Sequence, residues 1–291
     1  MDDSAGTRFR YALRADGPLQ IVGTVNAFTA MMATQIGHQA IYLSGAACAN
    51  NSYGLPDLGM TTLTDVLEDA RRITAAVDTP LMVDIDTGWG GVLNISRAVR
   101  QLERAGVAAI HIEDQVFEKR CGHRPNKAIV SAQEMADRIK AAVDARANQQ
   151  FFILARTDAY TNEGLDQTIE RSKIYLEAGA DGIFAEAMES LEEYRRFRLE
   201  ISAPLLANMT EFGLTPLFKK TALAECGVDM ILYPLTAVRA MNQAAENAYR
   251  CLLQNGDQHQ VLGNMQTREQ LYRYLDYHQK EQQLDESMEQ E

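Results

Sequence analysis

The sequence predicts an α/β protein folded as a (β/α)8 barrel of the TIM type, with extra helices at its C-terminus. Three observations carry this. Eight short runs of β-forming residues alternate with amphipathic helical stretches, the runs are apolar on both faces, and a glycine recurs just before several of them. Strands apolar on both faces belong to parallel sheets covered by helices. Eight such alternations with right-handed crossovers close a ring, and the 291 residues suit one barrel of about 250 residues with an extension.

In chain order the runs are IVGTVNA (21–27), AIYLSG (40–45), LMVDID (81–86), AAIHIED (108–114), FFILART (151–157), GIFAEA (182–187), LLANM (205–209) and MILYPL (230–235). Gly37, Gly106, Gly179 and Gly227 each precede a run by three residues or fewer, the pattern of a helix closed by a left-handed glycine before a buried strand. Between the runs, residues 131–146 illustrate the helical period: Met135, Ile139, Ala142 and Val143 face one way, Glu134, Asp137, Arg138 and Lys140 the other. An open doubly wound sheet is the alternative, but no G-x-G-x-x-G turn follows the first run. After the eighth run come helices over 236–254 and 267–281, the second carrying Leu271, Tyr274, Leu275 and His278 on one stripe. Such a stripe, left over once the ring is complete, is expected to cover a neighbouring subunit. The acidic DESMEQE tail is expected to be disordered. The whole reads as a single barrel domain, with its core over residues 20–254 and a helical extension over 255–291 exchanged between subunits.

Composition narrows the function. A formal charge of −12 argues against a nucleic-acid or anionic-membrane surface. No apolar run approaches the roughly 20 residues that span a bilayer, and the first twenty residues, with Asp2 and Asp3, resemble neither a secretory signal nor a transit peptide. Four scattered cysteines, Cys48, Cys121, Cys226 and Cys251, fit reduced thiols in a cytoplasm.

In a barrel of this kind, polar residues at strand C-terminal ends are the candidates for chemistry. Here they are Asp84 and Asp86, two apart and expected to point the same way, then His111 and Glu113, Arg156, Glu186, Asn208 and Thr210. Buried carboxylates without metal or partner are costly, so Asp84, Asp86 and Glu113 point to a hard cation such as Mg²⁺, with Mn²⁺ as the alternative; helix caps and salt bridges are the plainer explanation. Segment 119–127, KRCGHRPNK, gathers Lys119, Arg120, His123, Arg124 and Lys127 around Cys121, with Gly122 allowing a tight turn. Positive neighbours favour a reactive thiol, and basic charge concentrated in an acidic protein points to a small polyanion such as a di- or tricarboxylate; a solvated basic loop is the competing explanation. Ser44, Gly45 and Ala46 offer a hydroxyl and backbone N–H groups to a carboxylate, and Asp57 in GLPDLG is a further partner for a metal.

The motifs GLPDLG, HIEDQ, KRCGHRPNKAIVS, ARTDA, NMTEFG and TPLF together resemble the isocitrate lyase and phosphoenolpyruvate mutase superfamily over nearly the whole chain, and within it the 2-methylisocitrate lyases. The resemblance implies a Mg²⁺-dependent carbon–carbon lyase of propionate catabolism, a cytoplasmic homotetramer that splits 2-methylisocitrate into pyruvate and succinate. It implies Asp84, Asp86 and Glu113 as the metal site with Asp57 and His111 beside it; Ser44, Gly45, Ala46, Arg156, Glu186, Asn208 and Thr210 as substrate contacts; and Cys121 as the acid. Tyr42, with Glu113, is a candidate base, and Arg120 and His123 join the catalytic set. Phe184, Leu232 and Pro234 are expected to make room for the substrate methyl. Two departures bear on specificity: Ala46 replaces a glycine of the family loop, and TGWGGVLN after Asp86 is one residue short. The competing functions are isocitrate cleavage, phosphonate or oxaloacetate chemistry, and a catalytically silent barrel kept for binding.

Overall fold

The structure, a computed structural model, describes residues 3–288. Asp2, used above in reading the N-terminus, and the last three residues of the acidic tail lie outside the described residues. The chain forms two compact units, Met1–Thr236 and Ala237–Glu291.

In the first unit, β1 (Leu19–Gly23), β2 (Ala40–Leu43), β3 (Leu81–Asp84), β4 (Ala109–Glu113), β5 (Phe152–Thr157), β6 (Gly182–Ala185), β7 (Leu205–Asn208) and β8 (Met230–Tyr233) form a closed barrel in chain order. All pairs are parallel, and β8 returns to β1 through Ile21 opposite Leu232. Helices α1 (Ala5–Leu13), α2 (Ala27–Ile36), α3 (Gly45–Ala47), α4 (Leu63–Thr74), α5 (Val92–Arg104), α6 (Ala132–Ala145), α7 (Tyr160–Glu177), α8 (Leu191–Glu200) and α9 (Lys220–Glu225) precede and connect the strands. The second unit consists of α10 (Thr236–Asn255) from its second residue on, a 3-10 turn, α11 (Arg268–Leu275) and α12 (Tyr277–Met288).

Strand alternation divides the core in two. Ile41 and Leu43 point outward to the helices, in the same cluster as Val66, Ile73 and Val99. Tyr42 points inward with Ile21, Met82, Leu154, Phe184 and Leu232, filling the barrel interior with side chains. Helix α1 joins this inner cluster through Phe9 and Ala12; the Phe9 ring lies 5.3 Å from that of Phe152.

The observed strands are shorter than the expected runs, chiefly at their C-terminal ends. Asp86 (φ 48) and Ala187 (φ 62) take left-handed backbone just past β3 and β6, so the chain leaves the ladder where its polar residues begin. The expected first strand, 21–27, is displaced: it starts at Leu19 and stops at Gly23, because Asn26 is an N-cap whose side chain accepts from Thr29 N–H at 2.9 Å. The expected helix 267–281 is two helices, broken at Asp276 (φ 50), a residue type that tolerates this conformation. Its stripe is therefore interrupted, and Tyr272 stacks on Tyr277 across the break at 4.1 Å. The part of the acidic tail up to Met288 is helical, in α12, rather than disordered.

Candidate active site

The polar strand ends converge at the C-terminal mouth of the barrel. Strand register pairs Asp84 with His111 and Glu113 with Arg156. The strand alternation expected to align Asp84 with Asp86 does not apply, because Asp86 lies beyond β3. Its backbone N–H instead donates to Asp84 Oδ1 at 3.0 Å, and Gly45 N–H donates to Asp84 Oδ2 at 3.1 Å, which seats the Ser44–Gly45–Ala46 turn against the carboxylates. Ser44 itself is the cap of this turn, accepting from Ala47 N–H. The chain then continues into a π-helical turn, Cys48–Ser52, tied to α4 because Ser52 and Cys48 both donate to Asp69. Single π turns are frequent at functional sites.

Tyr42 Oη lies 2.8 Å from His111 Nε2 and 3.4 Å from Asp84 Oδ2. Burial, with Asp84 next, pushes the Tyr42 phenol well above its ordinary range, so it enters as a hydroxyl. Burial lowers His111 to about 4, which keeps the ring neutral. Arg156 spans the site: Nε is 3.2 Å from Glu113 and 2.9 Å from Asp158, and Nη2 is 3.3 Å from Glu186. Its guanidinium lies 5.1 Å over the Phe184 ring. Burial opposes the Glu186 charge, but Arg156, His123 and Lys127 outweigh it and hold the carboxyl well below its usual range. Asn208 Nδ2 donates to both Glu186 oxygens at 3.3 and 3.2 Å, and Thr210 is buried just past β7.

The 119–127 segment closes over this cup. At its base Gln115 bridges Ile129, and the Gln115 side chain grips the Arg120 peptide, accepting from its N–H at 2.9 Å and donating to its carbonyl at 2.8 Å. Two of its four Lys and Arg side chains turn inward onto carboxylates. Lys119 pairs with Asp57 and lies 2.8 Å from Asp86; Lys127 donates to Asp158 at 2.9 Å. Gly122 packs so closely that a Cβ there would sit 2.5 Å from Glu186 and 2.6 Å from Arg156 Nη2. Cys121, beside it, is exposed, whereas the other three cysteines are buried.

Phe184 and Leu232 are fully buried in the inner cluster with Tyr42, and Phe184 meets the His111 ring edge-on at 5.4 Å. The Pro234 carbonyl abuts Gly23, where a Cβ would lie 1.8 Å away.

Several buried polar atoms here lack a hydrogen-bond partner: Glu113 Oε1, Asn208 Oδ1, His111 Nδ1, His123 Nε2, and Asp86 Oδ1, which has only the misaligned Lys119 ammonium. Unsatisfied buried groups are expensive, and their concentration in one cup marks it as built for a polar ligand. As donors to a cation, Asp84, Asp86 and Glu113 are hard oxygens at 5, 4 and 1% exposure, the chemistry that Mg²⁺ takes. Among the described residues no three His, Cys, Asp or Glu side chains converge to ligand distance, and Lys119 occupies part of the negative field.

Reading the sequence alone assigned no role to Gln115 or Asp158, and took Lys127 as one of the basic residues around Cys121 and not as the partner of Asp158. The signal for Gln115 and Asp158 was their place one or two residues past a strand end.

The phosphoenolpyruvate phosphomutase family model matches residues 9–253. The chain is 61% identical, over 98% of both chains, to 2-methylisocitrate lyase of Shewanella oneidensis. A crystal structure of 2,3-dimethylmalate lyase superposes with TM-score 0.88 at 35% identity, covering 98% of this chain and 94% of the other. A phosphonopyruvate hydrolase structure in complex with oxalate and Mg²⁺ superposes with TM-score 0.83 at 27% identity, covering 98% and 97%.

Proposed function

Because this chain belongs to the phosphoenolpyruvate phosphomutase family, and within it to the 2-methylisocitrate lyases, we propose that it cleaves 2-methylisocitrate into pyruvate and succinate. The kinship over nearly the full chain carries this reading, and the cup of unsatisfied polar atoms supports it.

Asp84, Asp86 and Glu113 would hold a divalent cation, Mg²⁺ or Mn²⁺, with Asp57 and His111 beside them. When bound, such a cation polarises the hydroxyl and carboxylate of the substrate. The Ser44–Ala46 turn and Asn208, Thr210 and Arg156 bind carboxylates, while Glu186 fixes Arg156 and Asn208 in place. Phe184, Leu232 and Pro234 form the apolar side that accepts the methyl group. The hydroxyl proton leaves to a base, for which Tyr42 and Glu113 are the candidates; the 2.8 Å bond to His111 gives Tyr42 a relay. The bond between the hydroxyl-bearing carbon and its neighbour breaks, its electron pair passing to the carbon that becomes part of succinate. Arg120, His123 and Arg156 stabilise the charge that develops, and Cys121 supplies the proton that completes succinate. The enzyme works as a cytoplasmic homo-oligomer, a tetramer; four unpaired cysteines favour that compartment.

Product formation from 2-methylisocitrate and from isocitrate, each with Mg²⁺ and with excess chelator, tests the whole reading. Chelator-sensitive pyruvate release well above glyoxylate release is expected. Preferred glyoxylate release would overturn the assignment of the methyl pocket, and silence on both substrates would overturn the lyase.

A further inference from the structure

The seventh strand is followed by a short loop whose contact with the catalytic segment lies outside the chemistry described so far. Leu214 N–H donates to His123 Nδ1 at 3.0 Å. A backbone amide can only donate, so Nδ1 carries no hydrogen and the ring hydrogen resides on Nε2. That nitrogen is buried, 3.2 Å from Glu186 Oε1, and without an aligned acceptor. Directly against the ring face lies Gly213, where a Cβ would fall 2.9 Å from Nδ1 and 3.0 Å from Cε1 and Cγ. Any side chain there would push the imidazole off the loop. Phe212, just before, holds a left-handed backbone (φ 62) although it is not glycine and its ring is 93% exposed. Strained residues of this kind persist where the surrounding structure imposes them.

We propose that Gly213 and Leu214 are positioning residues for His123. They fix its ring as the Nε2–H tautomer, aimed beside Glu186 as a donor to a substrate carboxylate, and they join the 119–127 segment to the seventh loop so that the two close together. His123 then works as an oriented donor and does not abstract a proton through Nδ1. The kinetic arm of the test rests on the lyase reading; the spectroscopic arm does not.

The chain has five histidines, so imidazole ¹⁵N resonances can be assigned by comparison with His123→Gln. In the unsubstituted enzyme the expected signature is an Nδ1 without hydrogen and an Nε2 with one. Gly213→Ala is expected to blur that signature toward a tautomer mixture and to lower kcat/KM about tenfold, since small misplacements of catalytic groups are costly, with the unfolding midpoint unchanged. A hydrogen on Nδ1 in the unsubstituted enzyme would overturn the proposal. So would a Gly213→Ala enzyme that keeps both the wild-type tautomer and wild-type kcat/KM. An enzyme that turns over no 2-methylisocitrate but shows the Nε2–H signature would sink the lyase reading and leave the positioning intact.

Discussion

Cys121 is the exposed thiol among four cysteines, and its neighbour Gly122 is pressed onto Glu186 and Arg156. That places Cys121 one residue from the point where the segment touches the cup; as the acid proposed above, it would deliver a proton to a carbanion formed inside. Replacing it with serine keeps the size and a hydroxyl donor but makes the acid far weaker. Cys121→Ser is expected to lose about 1,000-fold or more in kcat, as for loss of an acid catalyst, while calorimetric titration still records substrate binding. Near-wild-type turnover would remove Cys121 from the mechanism. Lys127 plays a different part, pairing with Asp158 where both side chains are almost wholly buried (1 and 0% exposed). Burial alone would raise the Asp158 carboxyl; Arg156 and Lys127 outweigh it and hold it below its usual range. A depressed carboxyl stabilises the fold above its unfolded-state value, and that contribution is lost as pH falls through the folded-state value. Lys127→Met therefore should cost about 3 kcal/mol, the low end for a broken buried pair because Arg156 remains, and should move the onset of acid unfolding to higher pH. Urea titrations from neutral to acid pH read both effects; an unchanged acid limb would mean that Lys127 does not hold the Asp158 charge.

Among elements, the first strand and the helix after it show what the sequence makes legible and what it hides. The run 21–27 is rich in β-forming residues as far as Val25, yet only its first three residues are strand. The side chain of Asn26 captures Thr29 N–H and begins α2. A cap is a local hydrogen bond that competes with the ladder, and propensity over seven residues does not weigh it. Asn26→Ala is expected to cost about 1 kcal/mol, measured as a lower urea midpoint with unchanged slope; no shift would show that the Thr29 side chain alone holds the turn. The eight strands were legible because a parallel barrel demands runs apolar on both faces. So were the carboxylates and Arg156, because polar residues at the ends of such runs stand out. Helix α1 was not, since its Phe9 and Ala12 offer too little periodicity to reveal that they join the inner cluster. The Leu214–His123 bond was equally hidden, because a backbone amide 91 residues away leaves no trace in residue identity.

At the scale of the whole molecule, the helices after Thr236 pose a problem of burial. Helices α11 and α12 contain no buried residue, and α10 buries only Val238 and Cys251. Meanwhile Tyr249, Leu253, Leu262, Met265 and Leu284 are 72, 89, 52, 43 and 58% exposed. Helices gain most of their stability from packing an apolar face, and apolar groups left in water on this scale mark an association surface. Further copies of the chain are the occupants that closed symmetry favours. If the assembly is the tetramer proposed above, light scattering on the eluted protein gives four times the 32.4 kDa chain mass. Leu253→Asp combined with Leu262→Asp is expected to shift it to smaller species with a lower unfolding temperature. A wild-type protein that elutes and scatters as a stable single chain would refute the assembly, and the exposed face would then need another partner.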